Sequence, residues 1–452
     1  MEERLFKKYY AQIKKILKKA YEAEYYKRLI DDANIDINSD FEYKDFKRIK
    51  FSTKNDYNDN KFEMFTDGIK GFSKEEYLNM EDNSMRDDYL DKHSMLLKIT
   101  SGSTGQPLEV LKSSKDVNKD YLSLNMHRRK LTNYDFSGKF IWIWPINPYT
   151  IKYFNIECEV NEVVEVNKYG YQFFLYEHSE VNLYKLYRAI VGNQCEWMTS
   201  SPSVLFKLAE YINKHNLEPP LLKYIECHSE KMYDWQKEVI AETFGVVPVS
   251  IYSSNEIQFM GAVCEKGNLH LFSNTCFVEF IEANQTNTKE ICVTSFNYTD
   301  IPMIRYKLGD CGDWNIITEC NCKLNMYPSI TLSGFRTNDF LITKNNTCME
   351  PFVIADSIYF LFCNLHLEIK QYKVVERAYN KFDYYLPKEV LEMHNDSIIE
   401  FVQNYLEYIL KYPVTVITKP IENEESIFSG MKYRYFEVKL DITEAKSSSK
   451  KE

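Results

Sequence analysis

Two stretches of the chain combine residue types and spacing that could do chemistry. Residues 99–108 read ITSGSTGQPL, with Gly102 and Gly105 interleaved with Ser101, Ser103 and Thr104. Glycines let a backbone approach an anion while its N–H groups and neighbouring hydroxyls donate hydrogen bonds, so the run is a candidate phosphate cradle. An ordinary turn uses the same residues for conformational reasons. A Walker loop is excluded, because the glycines are too close and Gln106 stands where a lysine would help. The second stretch is Cys264-x5-His270 followed by Cys320-x-Cys322. Three thiolates and one imidazole make the closed tetrahedral set expected of structural zinc. The spacing departs from C-x2-C, and in a chain with 11 cysteines a C-x-C pair also arises from ordinary buried thiols.

The elements around these residues must come from the rest of the chain. With 452 residues, 44% of them hydrophobic, it can form two or three domains with substantial cores. A net charge of −10 argues against general nucleic-acid binding and favours small-molecule or protein partners. No continuous apolar run approaches about twenty residues, and the opening MEERLFKKYY is charged from the start. The expectation is a cytoplasmic protein without a membrane span, its cysteines reduced or metal-bound.

Leu5, Tyr9, Ile13, Leu17 and Tyr21 recur at steps of four among many lysines, which predicts an amphipathic surface helix over residues 2–30. Its aromatic stripe suits packing on a domain better than lying on a membrane. From about residue 139, strand-like KFIWIWPI, LLKYIECHSE and VVPVSIYSSNE alternate with helical PSVLFKLAEYINKH and YDWQKEVIAETFG. Such alternation predicts an α/β fold of layered sheets and helices with binding loops at strand ends. ICVTSFN, IPMIRYKLGD and SITLSGF continue the β-rich run, and residues 340–440 form a small α+β unit with a helix over Ser397–Leu410. Cys227 and His228 adjoin in ECHSE, without the acid partner or nucleophile elbow that would make them catalytic.

Four further stretches follow the glycine loop in order: TSSPS (199–203), YSSNE (252–256), RYKLGD (305–310) and FRTNDFLI (335–342). Together with TSGSTGQP they resemble the adenylate-forming superfamily of acyl-CoA synthetases and ligases. The chain looks most like the phenylacetate-CoA ligase branch and the adenylating proteins found with capsular-polysaccharide genes. The resemblance covers nearly the whole chain. It implies a large N-terminal ATP- and acid-binding domain (1–334), a small mobile α+β C-terminal lid (335–445) and a disordered tail (446–452).

The resemblance also implies roles. Thr100, Ser101, Gly102, Ser103, Thr104 and Gly105 would grip the β- and γ-phosphates of ATP. Tyr252 and Ser253 would lie by the adenine, Glu256 would hold Mg²⁺, and Asp310 would accept both ribose hydroxyls. Arg336 would sit beside ribose and phosphate, with Asn338 at the hinge position usually held by a carboxylate. Lys432, in SGMKYRYFEV, resembles the late catalytic lysine that neutralises charge at the α-phosphate, although Met431 stands where a glycine is common. Ser201, Glu230 and Phe259 would neighbour the acid pocket, and some members of the branch carry zinc where the Cys264 set falls. The implied reaction activates a carboxylic acid to an acyl-adenylate, releases pyrophosphate, and transfers the acyl group to coenzyme A, an acyl-carrier-protein thiol or an amine. A homodimer stays open. Against catalysis stand Gln106, Phe335, Asn338 and the displaced Lys432, which suit an inactive relative that binds nucleotide or a partner protein.

Overall fold

In the computed structural model the described residues are 1–80, 83–100, 108–145, 160–175, 179–229, 231–282, 289–315, 320–336, 341–344, 348–349, 372–421 and scattered positions between 354 and 438. Two compact units emerge. One comprises Met1–Phe280, Ile291–Leu308 and Trp314–Thr331; the other comprises Ile281–Glu290, Gly309–Asp313 and Leu332–Glu452.

In the first unit, β1 (Met95–Thr100) and β2 (Leu108–Ser113) pair as an antiparallel hairpin whose register ends at Thr100↔Leu108. The glycine loop joins those two residues. The chain also forms a twelve-stranded sheet, not confined to this unit, made of β3 (Phe140–Pro145), β4 (Val163–Asn167), β5 (Gly170–Leu175), β6 (Trp197–Ser200), β7 (Tyr224–Cys227), β8 (Val249–Ser253), β9 (Phe259–Val263), β10 (Leu269–Leu271), β11 (Cys276–Glu282), β12 (Lys289–Ser295), β13 (Tyr306–Trp314) and β14 (Ser329–Arg336). Its order is β11-β12-β13-β14-β10-β9-β8-β7-β6-β3-β5-β4.

The strands β5, β3, β6, β7 and β8 run parallel. Helices Glu180–Gly192, Pro202–Lys214 and Asp234–Phe244 make the crossovers from β5 to β6, β6 to β7 and β7 to β8, the usual connection between parallel strands. Helix Pro202–Lys214 begins with proline in its first turn and buries Val204, Leu205, Leu208, Ala209 and Ile212, one face at helical spacing. Helix Asp234–Phe244 stops at Gly245, whose φ of +67° suits a residue without Cβ. These helices enclose a core with Ile141, Phe173, Met198 and Ile225.

Beyond β8 the pairing reverses. β8–β9, β9–β10 and β10–β14 are antiparallel, so the chain turns directly at the end of β8. At this switch Gly261 on β9 faces β10 so closely that a Cβ would lie 2.5 Å from the His270 carbonyl oxygen.

The N-terminal segment is three helices rather than one: Glu2–Lys8, Tyr10–Ala20 and Glu24–Asp32. Tyr9 interrupts the first pair at φ −108°, ψ 19°, and its hydroxyl lies 2.9 Å from Ser273 Oγ. Tertiary packing thus overrides the helical periodicity, burying Leu5, Ile13, Leu17 and Tyr26. Arg305 anchors this region. Its guanidinium donates to both Glu279 carboxylate oxygens and to the carbonyls of Lys47 and Ile49, with both charged side chains buried.

In the second unit a four-stranded sheet has the order Thr415–Pro420, Lys381–Leu386, Lys373–Ala378, Phe436–Val438. Helix Lys388–Leu410 forms the crossover between the first two, which are parallel. It starts nine residues before the predicted Ser397, immediately after Pro387. Only its later turns carry the buried stripe Ile398, Val402, Leu406 and Leu410 that the sequence reveals. Among the described residues no helix is long and apolar enough to cross a membrane.

Replacing Gly261 with valine should cost about 2 kcal/mol through the forced separation of β9 from β10. Urea unfolding of the full chain checks this; an unchanged midpoint would contradict the close approach.

Candidate functional site

The reversal at β8 builds a loop held at several points. Tyr252 and Ser253, both half-buried, end β8, and a bulge there pairs Tyr252 with Gly261 but Ser253 with Phe259. Ser254 closes the loop: its Oγ accepts from the Ile257 N–H at 2.9 Å, and its N–H donates to Ile257 O at 3.2 Å. The carbonyl of Glu256 accepts from Lys112 Nζ at 2.7 Å, and the N–H of Gln258 donates to Tyr298 Oη at 2.9 Å. The Glu256 side chain is half-buried, and no cation among the described residues lies at ion-pair distance from it. An unclaimed carboxylate on an anchored loop is a suitable hard oxygen ligand.

Along the same edge, β6 and β7 end at Ser200 and Cys227. Ser201 is buried at the start of helix Pro202–Lys214, with its Oγ 3.2 Å from Ser203 Oγ. A chain of rings runs beside these ends. Phe259 packs edge-on to Tyr121 (5.3 Å), Tyr121 stacks on Trp142 (5.8 Å), Trp142 meets Trp144 (6.3 Å) and Trp144 meets His228 (5.5 Å). Sequence reasoning found only Phe259 of this wall. Trp142 and Trp144 had a signal, since they alternate along β3 and therefore share one face; Tyr121 lies on helix Ser114–Leu131, where nothing in the sequence marks it.

Behind the rings, Arg128 and Glu226 form a buried bidentate ion pair at 2.6 and 2.7 Å. Burial works against ionising Glu226, yet the Arg128 guanidinium and the Tyr224 hydroxyl hold its carboxyl below the usual range. Arg128 also lies 5.0 Å over the Trp197 ring. The pair fixes helix Ser114–Leu131, and with it Tyr121, against β7.

The structure brings Cys264, His270, Cys320 and Cys322 together, with all four potential ligand atoms within 4.8 Å of one another. Cys264 Sγ lies 3.8 Å from Cys320 Sγ, and Cys322 Sγ lies 3.3 Å from His270 Nε2. A zinc tetrahedron with metal–sulfur bonds of about 2.3 Å has sulfur–sulfur edges of about 3.8 Å, so the cluster has the right size. Its surroundings also fit. His270 Nδ1 lies 2.8 Å from the Tyr327 carbonyl, which takes the ring proton at Nδ1 and leaves Nε2 for a ligand. The Leu324 N–H and the Asn268 amide donate to the sulfurs of Cys322 and Cys320, each at 3.3 Å. Without a cation, burial and the neighbouring sulfurs push the Cys322 thiol up to about 12. The cluster joins the β9–β10 turn to the segment before β14.

Asp310 is half-buried on β13, immediately after Gly309, whose φ of +78° bends the strand there. Ser101, Gly102, Ser103, Thr104, Gly105, Glu230 and Asn338 lie outside the described residues, as do the tail 446–452 and the side chains of Thr100, Arg336 and Lys432. The backbones of the last three belong to β1, β14 and a short strand Lys432–Tyr433.

No protein-family model matches the chain, and no curated protein matches it. Solved structures do. A 2-hydroxyisobutyryl-CoA ligase in the postadenylation state with R3-HIB-AMP is similar at a TM-score of 0.64 and 15% identity, over 97% of this chain and 90% of that one. The same ligase in an open conformation, with 2-HIB-AMP and CoA, is similar at 0.55 and 14% identity, over 95% and 90%. Fatty acyl-adenylate ligases from E. coli and L. pneumophila are similar at 0.52 and 13% identity, over 78% and 70%. The chain therefore has the fold of the adenylate-forming ligases.

Proposed function

We propose that this chain is an adenylate-forming acid ligase of the phenylacetate-CoA ligase type. A carboxylate oxygen attacks the α-phosphorus of ATP, the bond to the β-phosphate bridging oxygen breaks, and pyrophosphate leaves. A thiol, of coenzyme A or a carrier protein, or an amine then displaces AMP from the acyl carbon. One observation carries the reading: YSSNE and TSSPS stand at the ends of β8 and β6, in a fold similar over 97% of the chain to an acyl-CoA ligase. Open α/β sheets bind ligands at the carboxyl ends of their parallel strands.

In this reading the loop at 100–105 takes the β- and γ-phosphates, and Tyr252 and Ser253 lie by the adenine. The carboxylate of Glu256, without an ion-pair partner among the described residues, suits Mg²⁺, which when bound would neutralise phosphate charge. Asp310 holds the ribose hydroxyls, Arg336 the ribose and phosphate, and Lys432 the charge developing at the α-phosphate. The wall of Tyr121, Trp142, Trp144 and Phe259 favours a planar, aromatic acid, because ring faces stack at little conformational cost. Cys264, His270, Cys320 and Cys322 hold zinc as a structural staple rather than a reactive centre, since their four ligand atoms leave no open position.

The ribose assignment predicts that Asp310→Ala raises the KM for ATP at least tenfold, with the KM for the acid changed far less, in acid-dependent AMP release; equal ATP kinetics would remove it. The metal assignment predicts about one zinc per chain by elemental analysis, and a lower melting temperature after chelation. Metal-free protein that melts normally would remove the staple.

A further inference from the structure

Beneath the Glu256 loop lies a lysine that the adenylation scheme does not use. Lys112, on β2, is 3% exposed. Its Nζ donates to the Glu256 carbonyl at 2.7 Å and to Tyr298 Oη at 2.5 Å, and stands 3.8 Å over the Tyr298 ring. Tyr298 Oη in turn accepts from the Gln258 N–H at 2.9 Å. Asp120 Oδ1 accepts from Asn297 Nδ2 at 2.8 Å. The amine and the phenol therefore grip the loop on both sides of Ile257.

Such a grip is costly. An ammonium removed from water loses hydration that neutral partners restore only in part. Among the described residues no carboxylate lies at ion-pair distance from Lys112 Nζ. The charged and titratable groups around it are Asp116 and Asp120 from helix Ser114–Leu131, Lys98 from β1, Glu256 from the loop, and Tyr298. Burial outweighs the acids and pulls Lys112 down to about 7, and pushes the Asp120 carboxyl up. A methionine of similar length would fill the same space without that cost. The amine's distinctive contribution is its bond to the backbone of Glu256.

We propose that Lys112 is a positioning residue: with Tyr298 it ties the backbone of the Glu256 loop to β2, so that the Glu256 carboxylate is fixed for a divalent cation–nucleotide complex. This rests on the adenylation reading. Lys112 touches no substrate and acts only through Glu256.

The test uses the full chain and calorimetric titration with MgATP, together with steady-state kinetics. Lys112→Met should weaken MgATP binding at least tenfold and raise the KM for MgATP similarly, leaving the KM for the acid within about twofold. Tyr298→Phe should act in the same direction and keeps the proposal testable should Lys112→Met fail to fold. The stability readout separates positioning from a merely structural role. Since Lys112 titrates lower in the folded than in the unfolded chain, the wild type loses stability as pH falls from about 10 to about 7. Lys112→Met should therefore gain in relative melting temperature over that window while still binding MgATP poorly. Wild-type protein that binds MgATP, with both variants binding it equally well, would overturn the role of Lys112 alone. Wild-type protein that binds no MgATP would overturn the nucleotide reading beneath it.

Discussion

The site depends on a reversal of direction at the end of β8. From β5 to β8 the chain adds parallel strands whose helical crossovers carry it away from the edge. At β8 the next strand pairs antiparallel, so no helix intervenes and a short loop remains at the edge. That loop carries Glu256 and delivers Phe259 to the ring wall. The same antiparallel run through β9 and β10 brings Cys264 and His270 to Cys320 and Cys322. One topological switch thus sets the carboxylate, part of the aromatic wall and the thiol cluster. Gly261 is the steric condition for it, because only a missing Cβ lets β9 lie so close to His270.

Buried polar contacts then fix what packs around the switch. Arg305–Glu279 ties the N-terminal helical segment to the sheet, and Arg128–Glu226 ties helix Ser114–Leu131 to β7. Such pairs add little net stability against a well-packed apolar alternative, but breaking one leaves a buried charge without its partner, at about 3–5 kcal/mol. Their geometric effect is to join segments far apart in sequence: Arg305 meets Glu279 and the carbonyls of Lys47 and Ile49, and Arg128 meets Glu226. The many exposed pairs, such as Lys7–Glu3 and Lys185–Glu162, exert no comparable control, because water screens them.

The sequence was readable where chemistry is local. Alternation of strand-like and helical runs identified the α/β class; the observed strands β3, β7 and β8 fall within the predicted stretches, and β12, β13 and β14 overlap theirs but run past one end. Cys264 and Cys320 could be linked across 56 residues because thiol and imidazole are few and chemically distinctive. Residues whose role depends on distant partners gave no such signal. Lys112 reads as one more strand lysine, and its burial comes from Tyr298, 186 residues away. Tyr121 joins the ring wall because its helix is docked by distant partners, Glu226 to Arg128 and the Thr299 and Asp300 N–H groups to Asp116 among them. At the N-terminus the periodicity was real, but Tyr9 and Ala23 leave helical geometry, and the Tyr9 hydroxyl meets Ser273, a distant contact that no local pattern encodes.

The most direct test of the account is ATP–pyrophosphate exchange by the wild-type chain with Mg²⁺, across a panel of aromatic, aliphatic and amino acids and with no acceptor added. Adenylation before transfer predicts exchange that depends on one class of acid, with planar aromatic acids favoured by the ring wall. Protein that binds MgATP yet shows no acid-dependent exchange across the panel would contradict the account and identify the chain as a nucleotide-binding relative without turnover.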